Sequence, residues 1–163
     1  MTYRSLLNKY KEICINKNLE IEAVKLLILE LSNFDGASFL AKFDDEIELD
    51  KLSLLETAIN KYVNDFIPVQ HILGYTYFYD YKIKVSKDVL IPRCETEELV
   101  GYVLEYYDEI FKGNEVNVCD IGTGSGAISI ALAKEEPSMS LFATDISKSA
   151  LSIAKENALI NNT

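Results

Sequence analysis

Tryptophan is absent from the 163 residues, histidine occurs once, and proline and cysteine occur three times each. With His71 alone, neither a multi-histidine metal centre nor a relay that needs two imidazoles can be assembled. Cys14, Cys94 and Cys119 are odd in number and widely spaced, which excludes a disulfide framework and a paired-cysteine zinc site. They read as reduced, structural thiols. No apolar run approaches the roughly 20 residues of a membrane span, and Met1 to Tyr10 carries polar and charged groups where a signal core would be apolar. A cytoplasmic chain with no membrane partner is expected.

Basic charge is also scarce. Sixteen Lys and Arg face 26 Asp and Glu, a net charge of −10, and both halves share the imbalance: residues 1–70 carry 8 basic and 12 acidic side chains, residues 71–163 carry 8 and 14. Such a field repels a phosphate backbone unless a local basic patch overrides it, and none is visible. That argues against direct contact with nucleic acid and leaves small molecules or proteins as ligands. The rest, 48% hydrophobic and 26% charged, is the profile of a globular chain of one or two small domains.

Up to about residue 70 the apolar spacing is helical. Tyr3, Leu6, Leu7, Tyr10 and Ile13 recur at three- and four-residue steps. A second helix is expected to be capped by Asn18 and to bury Ala23, Val24, Leu27 and Leu31. A third is expected over 37–43, and Ser53 to Glu56 reads as a capping box opening a fourth that runs toward Asn64. Residues 1–70 therefore form a helical bundle in which nothing looks catalytic.

Pro68 is expected to end the helical pattern. Residues 75–81 and 82–85 are aromatic and β-branched with Asp80 at a turn, which predicts a β-hairpin inside a linker of residues 71–88. Val89 to Pro92 is extended. Glu95 to Glu98 then puts acids at the start of a helix whose apolar side is Leu99, Val103 and Leu104.

From Val116 the order is strand, Gly122-Thr123-Gly124-Ser125-Gly126, helix, second strand, and then Asp145. Glycines let the backbone turn sharply and let a ligand approach without a Cβ in the way, while the helix start offers free amides. Asp145 can accept hydrogen bonds from both ribose hydroxyls of a nucleoside, with Ile146 beside it. Dinucleotide enzymes use a related loop, so the glycines alone do not decide the ligand. Glycines at every second position, with Asp120 just before them, favour S-adenosylmethionine: the acid would repel a pyrophosphate and suits an ammonium. An NAD-type oxidoreductase fragment and a non-enzymatic protein-binding module remain open alternatives.

The loop does not stand alone. Pro68-Val-Gln-His-Ile-Leu-Gly74, Phe78, Val89-Leu-Ile-Pro-Arg-Cys-Glu-Thr-Glu-Glu-Leu-Val100 and Asp120-Ile-Gly-Thr-Gly-Ser-Gly126 together closely resemble the HemK/PrmC family of protein-glutamine methyltransferases. The resemblance covers residues 68–163 well, and the preceding bundle fits the family's N-terminal domain in kind. It implies a helical bundle, a hairpin joint and the start of a class I, Rossmann-like α/β methyltransferase domain over 89–163. The implied reaction is methylation, from S-adenosylmethionine, of the side-chain amide of the glutamine in the Gly-Gly-Gln motif of peptide chain release factors, with residues 1–70 recognising that partner.

Residue by residue, Gly122 to Gly126 match the family's cofactor loop and Asp145 its ribose-binding acid. Arg93, Glu95, Thr96 and Glu97 match the segment bordering the active site, in a supporting role, although a plain helix start explains the acids equally well. His71 stands where the family often has Tyr, and Cys94 where it usually has Pro. The family's Asn-Pro-Pro-Tyr motif, which holds the substrate amide, does not occur in these residues. The expectation is an N-terminal portion truncated before that motif, with no catalytic residue of its own and no turnover.

Overall fold

The computed structural model describes residues 1–163 throughout and divides the chain into two compact units, Met1–Leu73 and Gly74–Thr163. No helix is long and apolar enough to cross a membrane.

The first unit is helical: α1 (Tyr3–Lys17), α2 (Ile21–Ser32), α3 (Gly36–Ala41), α4 (Leu49–Asp65) and α5 (Val69–Leu73). Thr2 opens α1 with a reciprocal capping box, its hydroxyl accepting the Ser5 amide while the Ser5 hydroxyl accepts the Thr2 amide. Leu6 and Tyr10 of α1, Leu27 and Ile28 of α2, and Leu55 and Ile59 of α4 meet in one fully enclosed core. Removing each such side chain from water contributes about 1.5–3 kcal/mol.

Several expected boundaries move. Asn18 does not cap α2; at φ 53° it closes α1 in the left-handed conformation, and Leu19 donates back to the Cys14 carbonyl. The second helix starts at Ile21, and Glu20 before it makes no side-chain cap. Ser53 is not a cap either: α4 begins at Leu49, because Leu52 joins Leu55 and Ile59 on the stripe facing the core, and Ser53 becomes an interior residue whose carbonyl accepts the Thr57 hydroxyl. The third helix is shorter than expected and starts under the Asp35 side chain, which accepts the Ser38 amide at 2.7 Å. Pro68 opens a helix rather than ending one, since its missing N–H is harmless in a first turn and its carbonyl accepts the amides of His71 and Ile72.

The second unit runs β1 (Tyr75–Phe78), β2 (Tyr81–Lys84), α6 (Glu95–Ile110), β3 (Val116–Ile121), α7 (Ala127–Glu135), β4 (Met139–Thr144) and α8 (Lys148–Asn161). Strands β1 and β2 form an antiparallel hairpin turning at Tyr79 and Asp80, both left-handed (φ 54° and 64°), the geometry of a type I′ turn. Strands β3 and β4 are parallel, with Val116 opposite Met139 and Ile121 opposite Thr144, and α7 forms the crossover. This parallel strand–helix–strand unit has the form expected for the start of a class I, Rossmann-like methyltransferase domain.

Phe78 and Ile83 of the hairpin share one core with Val100 and Tyr107 of α6, Ile130 and Leu132 of α7, and Ile153 of α8. Leu99, expected on the apolar side of α6, is half exposed, because Val100 and Tyr107 define the buried stripe instead. The β3 strand is not buried on both faces. Cys119 and Ile121 lie opposite Phe142 and Thr144 on a bare face, while Val116, Val118 and Leu141 pack inward. Two cysteines depart from expectation: Cys14 is buried, whereas Cys94 and Cys119 are exposed thiols.

Candidate cofactor site

The site grows from the ends of β3 and β4. Where β3 stops, the amides of Gly122 and Thr123 both donate to the Thr144 carbonyl, at 2.8 and 2.9 Å, so the loop leaves its strand pinned to the end of the neighbouring one. Gly122, Gly124 and Gly126 adopt φ of 80°, 56° and 82°, which a side chain would resist. A Cβ at Gly122 or Gly124 would meet nothing within 4 Å, so open space stands over both. Gly126 differs: its Cβ would lie 3.1 Å from Ala154 Cβ, and the glycine serves close packing of the loop on α8.

Two carboxylates hold the loop. Asp120 Oδ2 accepts the hydroxyls of Thr123 and Ser129, each at 2.7 Å, tying the last turn of β3 to the loop and to the first turn of α7. Asp145 Oδ2 accepts the Gly124 amide at 2.9 Å and its Oδ1 accepts the Ser147 amide at 2.8 Å. The Ser147 amide first, then that of Gly124, holds the Asp145 carboxyl below the usual carboxylate range. Each of its oxygens keeps a second lone pair, so the group can still accept from a ligand. Ser147 also caps α8, its hydroxyl accepting the Ala150 amide.

Of the residues singled out in the sequence, Asp120, Gly122, Thr123, Gly124 and Asp145 are thus joined by hydrogen bonds around one loop. Ser125 is buried, with its carbonyl taken by Asn157 at 2.8 Å. Ile146 is fully exposed next to Asp145. Arg93, Glu95, Thr96 and Glu97 stand at the head of α6, and no hydrogen bond joins them to the loop. Thr96 and Glu97 are half-buried, and Glu97 Oε1 accepts the Tyr79 amide at 2.8 Å, fastening the hairpin turn.

Sequence reasoning missed Ser129 and Asn157. The second carried a signal: Ala150, Ile153, Ala154 and Asn157 share the buried face of α8, and a polar residue on such a stripe demands partners. A cavity of about 550 Å³ between α7, β4 and α8 touches the site only through Gly126 and Ser129. It is walled by residues such as Ile130, Leu141 and Leu151, and neither Asp120 nor Asp145 lines it.

Chemically, the loop presents glycine backbone and open space between two acids. An arrangement with carboxylates at both ends disfavours phosphate and favours a ligand bearing hydroxyls or an ammonium group.

A family model described as "Ribosomal protein L11 methyltransferase (PrmA)" matches residues 99–163. The chain is 41% identical over 140 residues to the release factor glutamine methyltransferase of Bacillus subtilis (strain 168), covering 85% of this chain and 48% of that protein. With the protein of the same name from Lactococcus lactis subsp. lactis (strain IL1403), identity is 42% over 156 residues, 88% of this chain and 56% of the relative. With that from Streptococcus pneumoniae (strain ATCC BAA-255 / R6) it is 36% over 162 residues, 99% and 57%. The chain spans about half the length of the curated relatives it matches. Over most of its own length, then, the chain is similar to release factor glutamine methyltransferases, and its strand–loop–helix–strand site lies within the stretch that the methyltransferase family model matches.

Proposed function

We propose that this chain supplies the S-adenosylmethionine site of an enzyme that methylates the side-chain amide of the glutamine in the Gly-Gly-Gln motif of peptide chain release factors. The observation that carries the cofactor reading is Asp145, fastened to Gly124 beside open space at Gly122 and Gly124. These residues fit the group. Asp145 accepts the ribose hydroxyls, the backbone of residues 122–126 lies along the amino-acid part, Asp120 meets its ammonium, and exposed Ile146 offers an apolar surface to the base. When bound, the cofactor supplies an electrophilic methyl group on a sulfonium. The chain's own residues bind and orient it and, by carrying acids where a pyrophosphate would sit, disfavour a dinucleotide.

The names of the relatives support the acceptor. The residue 99–163 match to a ribosomal-protein methyltransferase spans the glycine loop and Asp145, so it bears on the donor site more than on the substrate. In this reading residues 1–70 recognise the release factor, residues 71–88 connect, Arg93, Glu95, Thr96 and Glu97 border the active site, and the protein works in the cytoplasm. An amide nitrogen is a poor nucleophile and needs acceptors that hold its hydrogens and aim its lone pair. With no Asn-Pro-Pro-Tyr run among residues 1–163 to provide them, these residues bind the cofactor and transfer no methyl group by themselves.

Calorimetry with S-adenosylhomocysteine and with NADH tests the donor half: binding of the first alone is expected, and binding of NADH alone would move the chain to the oxidoreductases. For the acceptor half, the chain is joined to the remaining half of the Bacillus subtilis relative and given tritiated S-adenosylmethionine. Label on the release-factor glutamine is expected, and label on ribosomal protein L11 instead would overturn the substrate.

A further inference from the structure

The glycine loop rests on α8 at two points. One is steric, Gly126 against Ala154, and the other is polar and lies one turn further on. Asn157 is fully buried, at 0% exposure. Its Oδ1 accepts the Lys84 amide at 2.7 Å, while its Nδ2 donates to the Lys84 carbonyl at 2.9 Å and to the Ser125 carbonyl at 2.8 Å. Two carbonyls can only accept, so the orientation of the amide is set by its partners and both Nδ2 hydrogens are used. One side chain therefore joins three pieces of backbone distant in sequence: strand β2, the centre of the glycine loop, and α8 itself.

The bond to Ser125 matters because of where it falls. Ser125 lies between Gly124, whose amide is held by Asp145, and Gly126, whose amide donates to the Thr123 carbonyl at 2.9 Å. Three glycines within five residues give the loop little stiffness of its own. Asp120 holds its entrance through Thr123, Asp145 holds its middle from the strand side, and Asn157 holds the same middle from the helix side. A neighbouring contact provides a built-in comparison: Asn161, one turn along α8, donates from Nδ2 to the Lys82 carbonyl at 3.0 Å and to the Asn157 backbone carbonyl at 2.8 Å, and so clamps β2 to α8 without reaching the loop.

We infer that Asn157 is a positioning residue for the cofactor loop, setting the Ser125 peptide and so the backbone on which the nucleoside ligand lies. The inference rests on the cofactor reading above only for the identity of the ligand.

The test compares the whole 163-residue chain with Asn157→Asp and Asn161→Ala. Asn157→Asp keeps the shape of the side chain and turns an acceptor toward the carbonyls of Lys84 and Ser125. Without ligand, amide exchange at Gly124 and Gly126 is expected to speed up about tenfold in Asn157→Asp, the effect of losing the one of its two donated bonds that reaches the loop, that to the Ser125 carbonyl. Rates in β3, β4 and α6 stay unchanged, and Asn161→Ala keeps wild-type loop rates. Affinity for S-adenosylhomocysteine is expected to fall about tenfold in Asn157→Asp and to stay at the wild-type value in Asn161→Ala.

Exchange that rises evenly over the second unit in Asn157→Asp, or equally in the loop of both variants, overturns the inference. So does wild-type affinity in Asn157→Asp. A wild-type chain that binds no S-adenosylhomocysteine defeats the cofactor reading instead, and the exchange rates still decide the role of Asn157. Should Asn157→Asp not fold, Asn157→Ser, which retains one hydroxyl donor, is judged by the same criteria.

Discussion

Asp145 accepts the backbone amide of Gly124 through Oδ2 at 2.9 Å, across 21 residues of sequence. The carboxylate is therefore part of the loop's structure before any ligand arrives, and its charge state bears on stability. Its pKa is depressed in the folded chain by the Ser147 and Gly124 amides. A depressed folded value means the stabilisation is complete above the ordinary Asp value of about 3.9 and is lost as pH falls through the folded value. The melting-temperature gap between wild type and Asp145→Asn is expected to be constant at neutral pH and to close on acidification below that range. A gap that widens in acid would show that the carboxylate does not carry this contact. Asp145→Asn is also expected to weaken S-adenosylhomocysteine binding at least about tenfold, since a hydrogen bond to a charged group is lost.

Gly124 and Gly126 are expected to part company when replaced by alanine. At Gly126 a Cβ meets Ala154 Cβ at 3.1 Å and Cα at 3.3 Å with φ at 82°. Left-handed strain of about 1–2 kcal/mol then adds to overpacking of about 1–3 kcal/mol. Gly124→Ala pays only the first cost, because its Cβ would point into open space. Denaturant melts should therefore show Gly126→Ala as the less stable protein, whereas calorimetry should show Gly124→Ala losing more affinity per unit of stability lost. Equal stability losses would mean that α8 gives way.

How far the site was legible in the sequence follows from how local its parts are. The loop, Asp120 and Asp145 were readable because a strand, a glycine turn and a helix are each signalled within ten residues, and parallel pairing then brings Asp145 to the loop. Asn157 was not read, because its three partners come from β2 and the loop, and only the packed α8 brings them together. The helix boundaries that moved turn on residues whose preference is double. Asn18 suits either end of a helix and takes the left-handed C-terminal one, while Ser53 suits a cap or an interior, and the register of Leu52, Leu55 and Ile59 against the core decided against capping there. On α6 the same effect shifted the buried stripe from Leu99 to Val100 and Tyr107.

Tyr81 gives a spectroscopic check on the packing of the hairpin with α7. Its hydroxyl donates to Glu135 Oε1 at 2.6 Å, and that bond, reinforced by desolvation, raises its pKa to about 12. Since the folded value lies above the unfolded one of about 10, the contact's contribution is fully present below the unfolded value and is lost as pH rises through the folded one. Burial also raises Tyr10 and Tyr62, so ultraviolet titration of the ten tyrosines should show a late-ionising group that loses one member, the contribution near 12, in Tyr81→Phe. A profile unchanged by the substitution would place that late ionisation elsewhere.

Glu97 has a structural part within the segment that resembles the family's active-site border. Its Oε1 accepts the amide of Tyr79, a non-glycine residue at φ 54°, and so holds a turn that the Tyr-Asp sequence does not itself favour. Replacing Glu97 by Ala leaves that left-handed residue without its partner. The expected cost is about 1–2 kcal/mol of stability, read from denaturant melts. Because Glu97 makes no hydrogen bond to the glycine loop, S-adenosylhomocysteine affinity is expected to stay within about twofold of wild type, well under 1.4 kcal/mol. If affinity fell about tenfold while the melt stayed in place, Glu97 would belong to the ligand site. Glu97→Gln, which can still accept from Tyr79, should recover most of the stability; recovery of affinity without stability would point the same way as the loss.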